Sequence, residues 1–431
     1  MGRRTRAKKI KKKVIIISVS IIAFILAIGI GIYALSIQKE VNSWSNKIYP
    51  GIKINGVDLS AKTKEEAQKQ LYDLFNKPIN NKVLIVKADG SEFKLKYEEL
   101  KPRLNIDETI QKALNQGKTG NIFIKNYKIK NGCNVNLLLK FSYDKNKAID
   151  FENKIVQKIN RKAKNASFYL EGSSPKVVEG TIGKEIDKKQ LDELVIKNVN
   201  DKIDKNSIIE VNVKDVDPKV RTSDLRKIDG VIGSFSTSFA TNSDESRATN
   251  LRVALKSING ILLMPGQEFS YNDALGERTW DRGYRMGAGY GEGGKTVQQI
   301  GGGICQISTT LYRAAMRAGI RSTERYNHCK PTSYSPLGLD ATVSWGSLDY
   351  KFKNPYSFPI YIEGYATSDK QAVINIYGYV QGMGNKTYEL IAGQVCNSGD
   401  DAIVSSYLET YEGGREINKE KIATDTYKVR E

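Results

Sequence analysis

GGGICQISTTLYRAAMRAG, residues 301–319, decides how this chain is read. Three glycines open the stretch, and Leu311, Ala314, Ala315 and Ala318 then recur at helical spacing up to Gly319. The pattern predicts a glycine turn feeding a helix. Ser308, Thr309 and Thr310 are poor helix formers and weaken that pattern without breaking it. Cys305 falls at the helix start, against a glycine-lined backbone. Free N–H groups and the helix dipole there favour a thiolate and offer donors to a developing oxyanion. His328, the single histidine of the chain, follows, and then Asp340. In such a set the imidazole accepts the thiol proton and the acid orients the imidazole. Cys305, His328 and Asp340 are therefore the candidate catalytic residues. The same three fit a non-catalytic pocket, and they also fit a buried small thiol with a scaffold histidine. Gly301, Gly302, Gly303, Gln306, Ser308, Thr309 and Arg325 are the candidate ligand-binding positions: the glycines permit close approach, and the guanidinium can hold a carboxylate in a fork.

Outward from this turn, Thr342–Trp345, Tyr350–Phe352, Ile360–Tyr365 and Ala372–Tyr379 alternate as strands. Residues 221–380 thus read as a helix on a mostly antiparallel sheet. Residues 381–431 read as a small β extension with a hairpin turn at Gly413-Gly414, between Ala402–Glu412 and Glu416–Ala423. No chemistry is expected there, and Cys396 reads as structural. Gly289–Thr296 fits the phosphate-binding pattern G-x4-G-K-[ST], but no hydrophobic strand precedes it and VQQIGGG breaks any following helix. Nucleotide binding is not expected, and the segment reads as a glycine-rich loop or lid. Phe269, Tyr271, Trp280, Tyr284, Tyr290, Tyr326, Tyr334 and Trp345 are either core or a platform for sugars and peptides.

The other end of the chain sets the compartment. Of 431 residues, 67 are Lys or Arg and 48 Asp or Glu, a net charge of +19. Eight of the basic residues crowd into residues 1–13 and abut Val14–Ile37, which carries no charge. At about 1.5 Å per residue that run spans a bilayer core. Basic residues on one side hold the N-terminus in the cytoplasm. A cleaved signal peptide needs a shorter apolar region, and Ala34-Leu35-Ser36 is only a weak cleavage site. The expected order is a cytoplasmic segment 1–13, a transmembrane helix 14–37, a stalk 38–50, an α+β region 51–220, the domain 221–380 and the extension 381–431. Membrane position accounts for the basic surplus, so nucleic acid is not an expected partner. One histidine excludes a multi-histidine metal site, and no cofactor is expected.

Within 51–220, Thr63 and Glu66 form a capping box for a helix over residues 64–76. Lys82–Ala88 and Glu92–Tyr97 alternate around Asp89-Gly90 like a hairpin. A second capped helix begins at Asp187, and Ser207–Lys214 alternates in turn. That recurrence is either an internal duplication or a coincidence of element order.

Two resemblances follow from these motifs. Gly56-Val57-Asp58-Leu59-Ser60 with Ala113-Leu114-Asn115-Gln116-Gly117-Lys118-Thr119-Gly120-Asn121 resembles the peptidoglycan-binding domain that precedes L,D-transpeptidase and vancomycin-resistance W modules in Gram-positive bacteria. PGQEFSYND (265–273), GERTWDRGY (276–284), GGGICQISTTLY (301–312), ERYNHCKP (324–331), GLDATVSW (338–345) and FKNPYSFPIYI (352–362), in this order, resemble the vancomycin-resistance W (VanW) family. Cys329 departs from the expected pattern, where Ser would follow the histidine. The order Cys, His, acid is also that of papain-like cysteine peptidases. The resemblance implies a wall-associated membrane protein with peptidoglycan or its precursors as partner. It implies either a binder, with a link to glycopeptide resistance or wall maintenance, or a cysteine-dependent peptidase, amidase or acyl-transferase.

Overall fold

A computed structural model describes residues 2–202, 206–240, 244–291 and 295–429. The fold is mixed α+β, with a long apolar N-terminal helix and mostly antiparallel sheets. The chain divides into two compact units: Met1–Arg161 with Lys184–Asp215, and Lys162–Gly183 with Val216–Glu431.

In the first unit, α1 (Gly2–Ser43) is one continuous helix. Its stretch Lys8–Ser43 is long and apolar enough to cross a membrane. Ile15, Phe24 and Leu35 are exposed on all sides of it, an arrangement water disfavours and lipid accepts. The expected stalk is folded instead. Ile37 and Val41, at the end of α1, are buried with Ile48, Tyr49, Ile52, Leu59 and Ile110 in one core. The capping box forms as read: Thr63 Oγ1 accepts the Glu66 N–H, and Glu66 returns a carboxylate oxygen to the Thr63 N–H. That helix is regular over Lys64–Leu71 and then widens to a π turn at Tyr72–Asn76, so the helix expected over 64–76 is not uniform. Asp89 and Gly90 both adopt positive φ, the geometry of a tight hairpin turn, and join Val83–Ala88 to Ser91–Lys96. The two segments read as recurring strands lie side by side, because Ser207–Glu210 pairs in parallel with Leu84–Lys87.

The second unit centres on a four-stranded antiparallel sheet. It contains β1 (Gly230–Ser238), β2 (Ile261–Leu263), β8 (Ile360–Ala366) and β9 (Gln371–Gly378), in spatial order β1-β9-β8-β2. Between β1 and β2 runs α2 (Glu245–Ile258), whose first N–H groups are capped by Asp244. A second small sheet holds β3 (Glu268–Ser270), β6 (Ser322–Glu324) and β7 (Lys351–Lys353), and the short α3 (Tyr271–Leu275) follows β3. The hairpin β4 (Met286–Tyr290) and β5 (Thr296–Ile300) leads into α4 (Cys305–Arg317). Of the phosphate-loop lookalike, Gly289, Tyr290 and Thr296 lie on these paired strands, and residues 292–294 lie outside the described residues. Three long strands, β10 (Lys386–Ser398), β11 (Asp401–Glu412) and β12 (Arg415–Lys428), form a meander.

α4 is buried on nearly every side: Ile307, Leu311, Ala314 and Ala315 are in the main core with Ile362, Ile374 and Ile376. Burial at about 1.5–3 kcal/mol per large aliphatic side chain outweighs the weak helix propensity of its Ser-Thr-Thr run. The expected strand Thr342–Trp345 is absent. Its residues make isolated bridges within the segment 325–350, which joins β6 to β7.

Candidate functional site

The site lies where the start of α4 meets the segment 325–350. Gly302 brings the turn against the β4–β5 hairpin: a Cβ there would sit 2.0 Å from the Gly287 carbonyl oxygen. Gly303 has φ +101, which side-chain-bearing residues rarely adopt. This turn sets Cys305 as the first residue of α4. Its Sγ lies 3.5 Å from the Val343 carbonyl oxygen and 3.7 Å from Thr342 Oγ1.

The His328 imidazole acts electrostatically on the Cys305 thiol. Its Nδ1 is 2.5 Å from Asp340 Oδ2, and the same oxygen accepts the His328 backbone N–H at 2.8 Å. With Nδ1 engaged by the carboxylate, Nε2 has the Tyr334 hydroxyl 3.2 Å away. His328 and Asp340 are both buried. Burial by itself pushes the thiol up, but the interaction with His328 outweighs it, and the net is a thiol below its ordinary value. Burial likewise pushes the imidazole down, yet Asp340 and Cys305 together raise it to about 9. For Asp340, burial acts upward and the His328 contacts bring it below the usual aspartate value. The three directions favour the charged forms of thiol, imidazole and carboxyl alike.

The sequence-flagged hydroxyls hold this geometry. Ser308 and Thr309 are fully buried. Ser308 Oγ donates to the Ala341 carbonyl at 2.7 Å, and Thr309 Oγ1 accepts the Ala341 N–H at 3.0 Å. They fasten the residue after Asp340 to the helix that carries Cys305. Gln306 is buried too: its Nε2 donates to Thr237 Oγ1 and the Ser238 carbonyl, and its Oε1 accepts from Arg247. Arg325 is turned inward. It clasps Asp425 through Nη1 at 2.6 and 2.8 Å and donates Nε to the Asp340 carbonyl at 2.6 Å, so its fork is filled by the protein itself. Among the aromatics, Phe269, Tyr271 and Tyr284 are core, while Trp280, Trp345, Tyr290 and Tyr326 are exposed. All four cysteines are free thiols.

Several residues at the site were not read from the sequence. The C-terminal meander, from which no chemistry was expected, supplies two of them from β12. Tyr427 Oη donates to Asp340 Oδ1 at 2.5 Å and accepts the Gly338 N–H at 2.8 Å, and Asp425 pairs with Arg325. The signal lay in Thr424–Lys428, where Asp425 takes an inward position of an alternating strand, but the strand was read as ending at Ala423. Two of the aromatics that the sequence offers as core or platform also reach the histidine: Tyr334 Oη lies 3.2 Å from His328 Nε2, and Tyr290, edge-on to the imidazole, donates to the Pro331 carbonyl. α2 brings Arg247 and Asn250; Asn250 is fully buried and bonds Arg285 and Gly302, locking the hairpin to the turn. Two polar residues three apart on an otherwise apolar helix face were the available signal.

The thiol of Cys305 and the His328–Asp340 pair lie on a mixed α+β scaffold, and comparison with known proteins finds described families over parts of the chain. Residues 246–377 match the model of the family described as "VanW like protein", and residues 93–207 match "Putative peptidoglycan binding domain". The chain therefore carries a VanW-like domain together with a peptidoglycan-binding domain, which supports a cell-wall-associated role. Among curated proteins it is 40% identical over 131 residues to uncharacterized protein YoaR of Bacillus subtilis strain 168, covering 30% of this chain and 43% of the relative. It is 30% identical over 135 residues to vancomycin B-type resistance protein VanW of Enterococcus faecalis strain ATCC 700802 / V583, covering 30% of this chain and 49% of the relative. The match thus spans less than half of either relative. No solved structure matches the chain.

Proposed function

We propose that this protein is anchored by α1 in the cytoplasmic membrane of a Gram-positive cell, N-terminus inside and both units outside. There it binds peptidoglycan or its precursors and opens an acyl bond in their peptide part with Cys305. Orientation follows from the basic run on one side of the apolar stretch. The catalytic reading is carried by one observation: His328, whose Nδ1 is held to Asp340 at 2.5 Å, acts electrostatically on the Cys305 thiol at the start of α4.

The chemistry is acyl transfer. The Cys305 thiolate attacks the carbonyl carbon, a C–S bond forms, and the C–N bond breaks as the His328 imidazolium gives its proton to the departing amine. Water or an acceptor amine then attacks the thioester, losing a proton to His328, and the C–S bond breaks to restore the thiolate. Asp340 holds the imidazole and its charge throughout. The resistance in the name of the Enterococcus relative fits a protein that acts on wall peptides.

A second reading, a binder without chemistry, is favoured by Tyr334, whose hydroxyl competes for His328 Nε2. Incubating the full chain in detergent micelles with defined muropeptides, followed by product mass, separates the two. Cleaved or transferred products that vanish in Cys305→Ala support the enzyme. Unchanged masses with retention on purified sacculi support the binder. Unchanged masses without retention overturn both.

A further inference from the structure

Beside Cys305, one continuous run of ion pairs is formed by His328, Asp340, Arg325 and Asp425. Arg247 stands outside that run. It is 9% exposed, reaches from α2 across the glycine turn, and lies so close to Gly303 that a Cβ there would be 2.7 Å from its Cγ and 2.9 Å from its Nε. Nη2 donates to Gln306 Oε1 at 2.8 Å, a neutral partner. Among the described residues it makes no ion pair within salt-bridge distance. Asp244 acts on it electrostatically, but that carboxylate caps the N-terminus of α2. Tyr334 and Cys305 also act on it electrostatically. A guanidinium buried to this degree without a salt bridge is costly, and buried charges are normally paired.

We propose that Arg247 is a specificity residue that receives the carboxylate of a peptide substrate beside the bond presented to Cys305, so that the preferred substrate is a wall peptide ending in a free carboxylate. This deepens the wall-peptide reading above and rests on it. Gln306 fixes the guanidinium by occupying one face of the fork, and the absence of a side chain at Gly303 lets the Arg247 stem pass the turn. Arg325 is not available for this task, because Asp425 already fills it.

The test is a binding measurement that needs no turnover. Full-length Cys305→Ala in detergent micelles is titrated with N-acetyl-L-Lys-D-Ala-D-Ala as the free acid and as its C-terminal amide. The acid is expected to bind at least about ten-fold more tightly, and Arg247→Gln to abolish the difference, with Arg247→Lys retaining part of it. Thermal melts of both variants separate loss of the fork from loss of the fold. Equal binding of acid and amide, a preference that survives Arg247→Gln, or binding of neither peptide up to millimolar concentration would overturn the proposal. Thiol labelling of the Arg247→Gln chain with Cys305 intact is read in parallel. A raised labelling midpoint with no acid preference assigns Arg247 to the thiolate alone and also overturns it. The cysteine reading stands or falls separately, on labelling of the unmodified chain.

Discussion

Replacing Tyr427 by Phe removes one oxygen and changes little in volume, yet two buried groups lose a partner. Tyr427 Oη donates to Asp340 Oδ1 at 2.5 Å and accepts from the Gly338 N–H at 2.8 Å, and the residue is 1% exposed. A hydrogen bond to a charged group is worth about 1.5–3 kcal/mol, and an orphaned buried N–H costs about 1–3 kcal/mol. Asp340 keeps His328 and Arg325, so the expected loss is about 2–4 kcal/mol in this unit. The loss should depend on pH. Asp340 is held below its ordinary value, so its contribution is present above the unfolded aspartate pKa and fades as pH falls through the folded one. The difference between wild type and Tyr427→Phe should therefore be largest near neutral pH and shrink below about pH 4. The same change raises the carboxyl behind His328 toward its ordinary value, so the alkylation midpoint of Cys305 should move. Denaturation followed by the fluorescence of Trp280 and Trp345, both in this unit, reads the stability, and pH-resolved alkylation of Cys305 reads the thiol. A loss under about 0.5 kcal/mol that is equal at pH 7 and pH 3, with an unmoved alkylation midpoint, would refute the role given to β12.

Three further outcomes are expected. His328→Ala leaves burial to act alone on the thiol. An ordinary thiol is only about 3% ionised at pH 7 and the thiolate fraction governs alkylation, so the Cys305 rate at that pH should fall about ten-fold or more; an unchanged rate counts against the pair. Ser308→Ala removes a buried donor to the Ala341 carbonyl and should cost about 1–2 kcal/mol in a denaturant melt while wall-peptide affinity is kept; lost affinity with full stability would restore Ser308 as a ligand contact. In the first unit, burial and then Asp192 raise Glu152 to about 7. Stability from a raised carboxyl is present below its unfolded value and lost as pH rises through the folded one. Glu152→Gln should therefore stabilise that unit by about 1–3 kcal/mol at pH 8 and hardly at pH 4, read by circular dichroism melts; equal effects at both pH values would refute the raised Glu152 carboxyl.

What the sequence determined by itself was local or periodic. The apolar run after a basic segment, the Thr63–Glu66 cap, the Asp89-Gly90 hairpin and the glycine turn before Cys305 depend on residues a few positions apart. Near-neighbour sterics, hydrogen bonding and hydrophobic spacing specify them without help from the rest of the chain. The types Cys305, His328 and Asp340 could be picked out because few other side chains do that chemistry. Their surroundings were not legible. Ser308, Thr309, Gln306 and Arg325 look like ligand contacts in a string of letters, yet all four are spent on internal bonds. Tyr427 and Asp425 reach the site from about a hundred residues beyond it, and Arg247 reaches it from a helix on the other side of the turn. Which polar group meets which is decided when distant segments pack and each buried donor, acceptor or charge must find a partner. That pairing is a property of the folded core, and no spacing in the sequence encodes it.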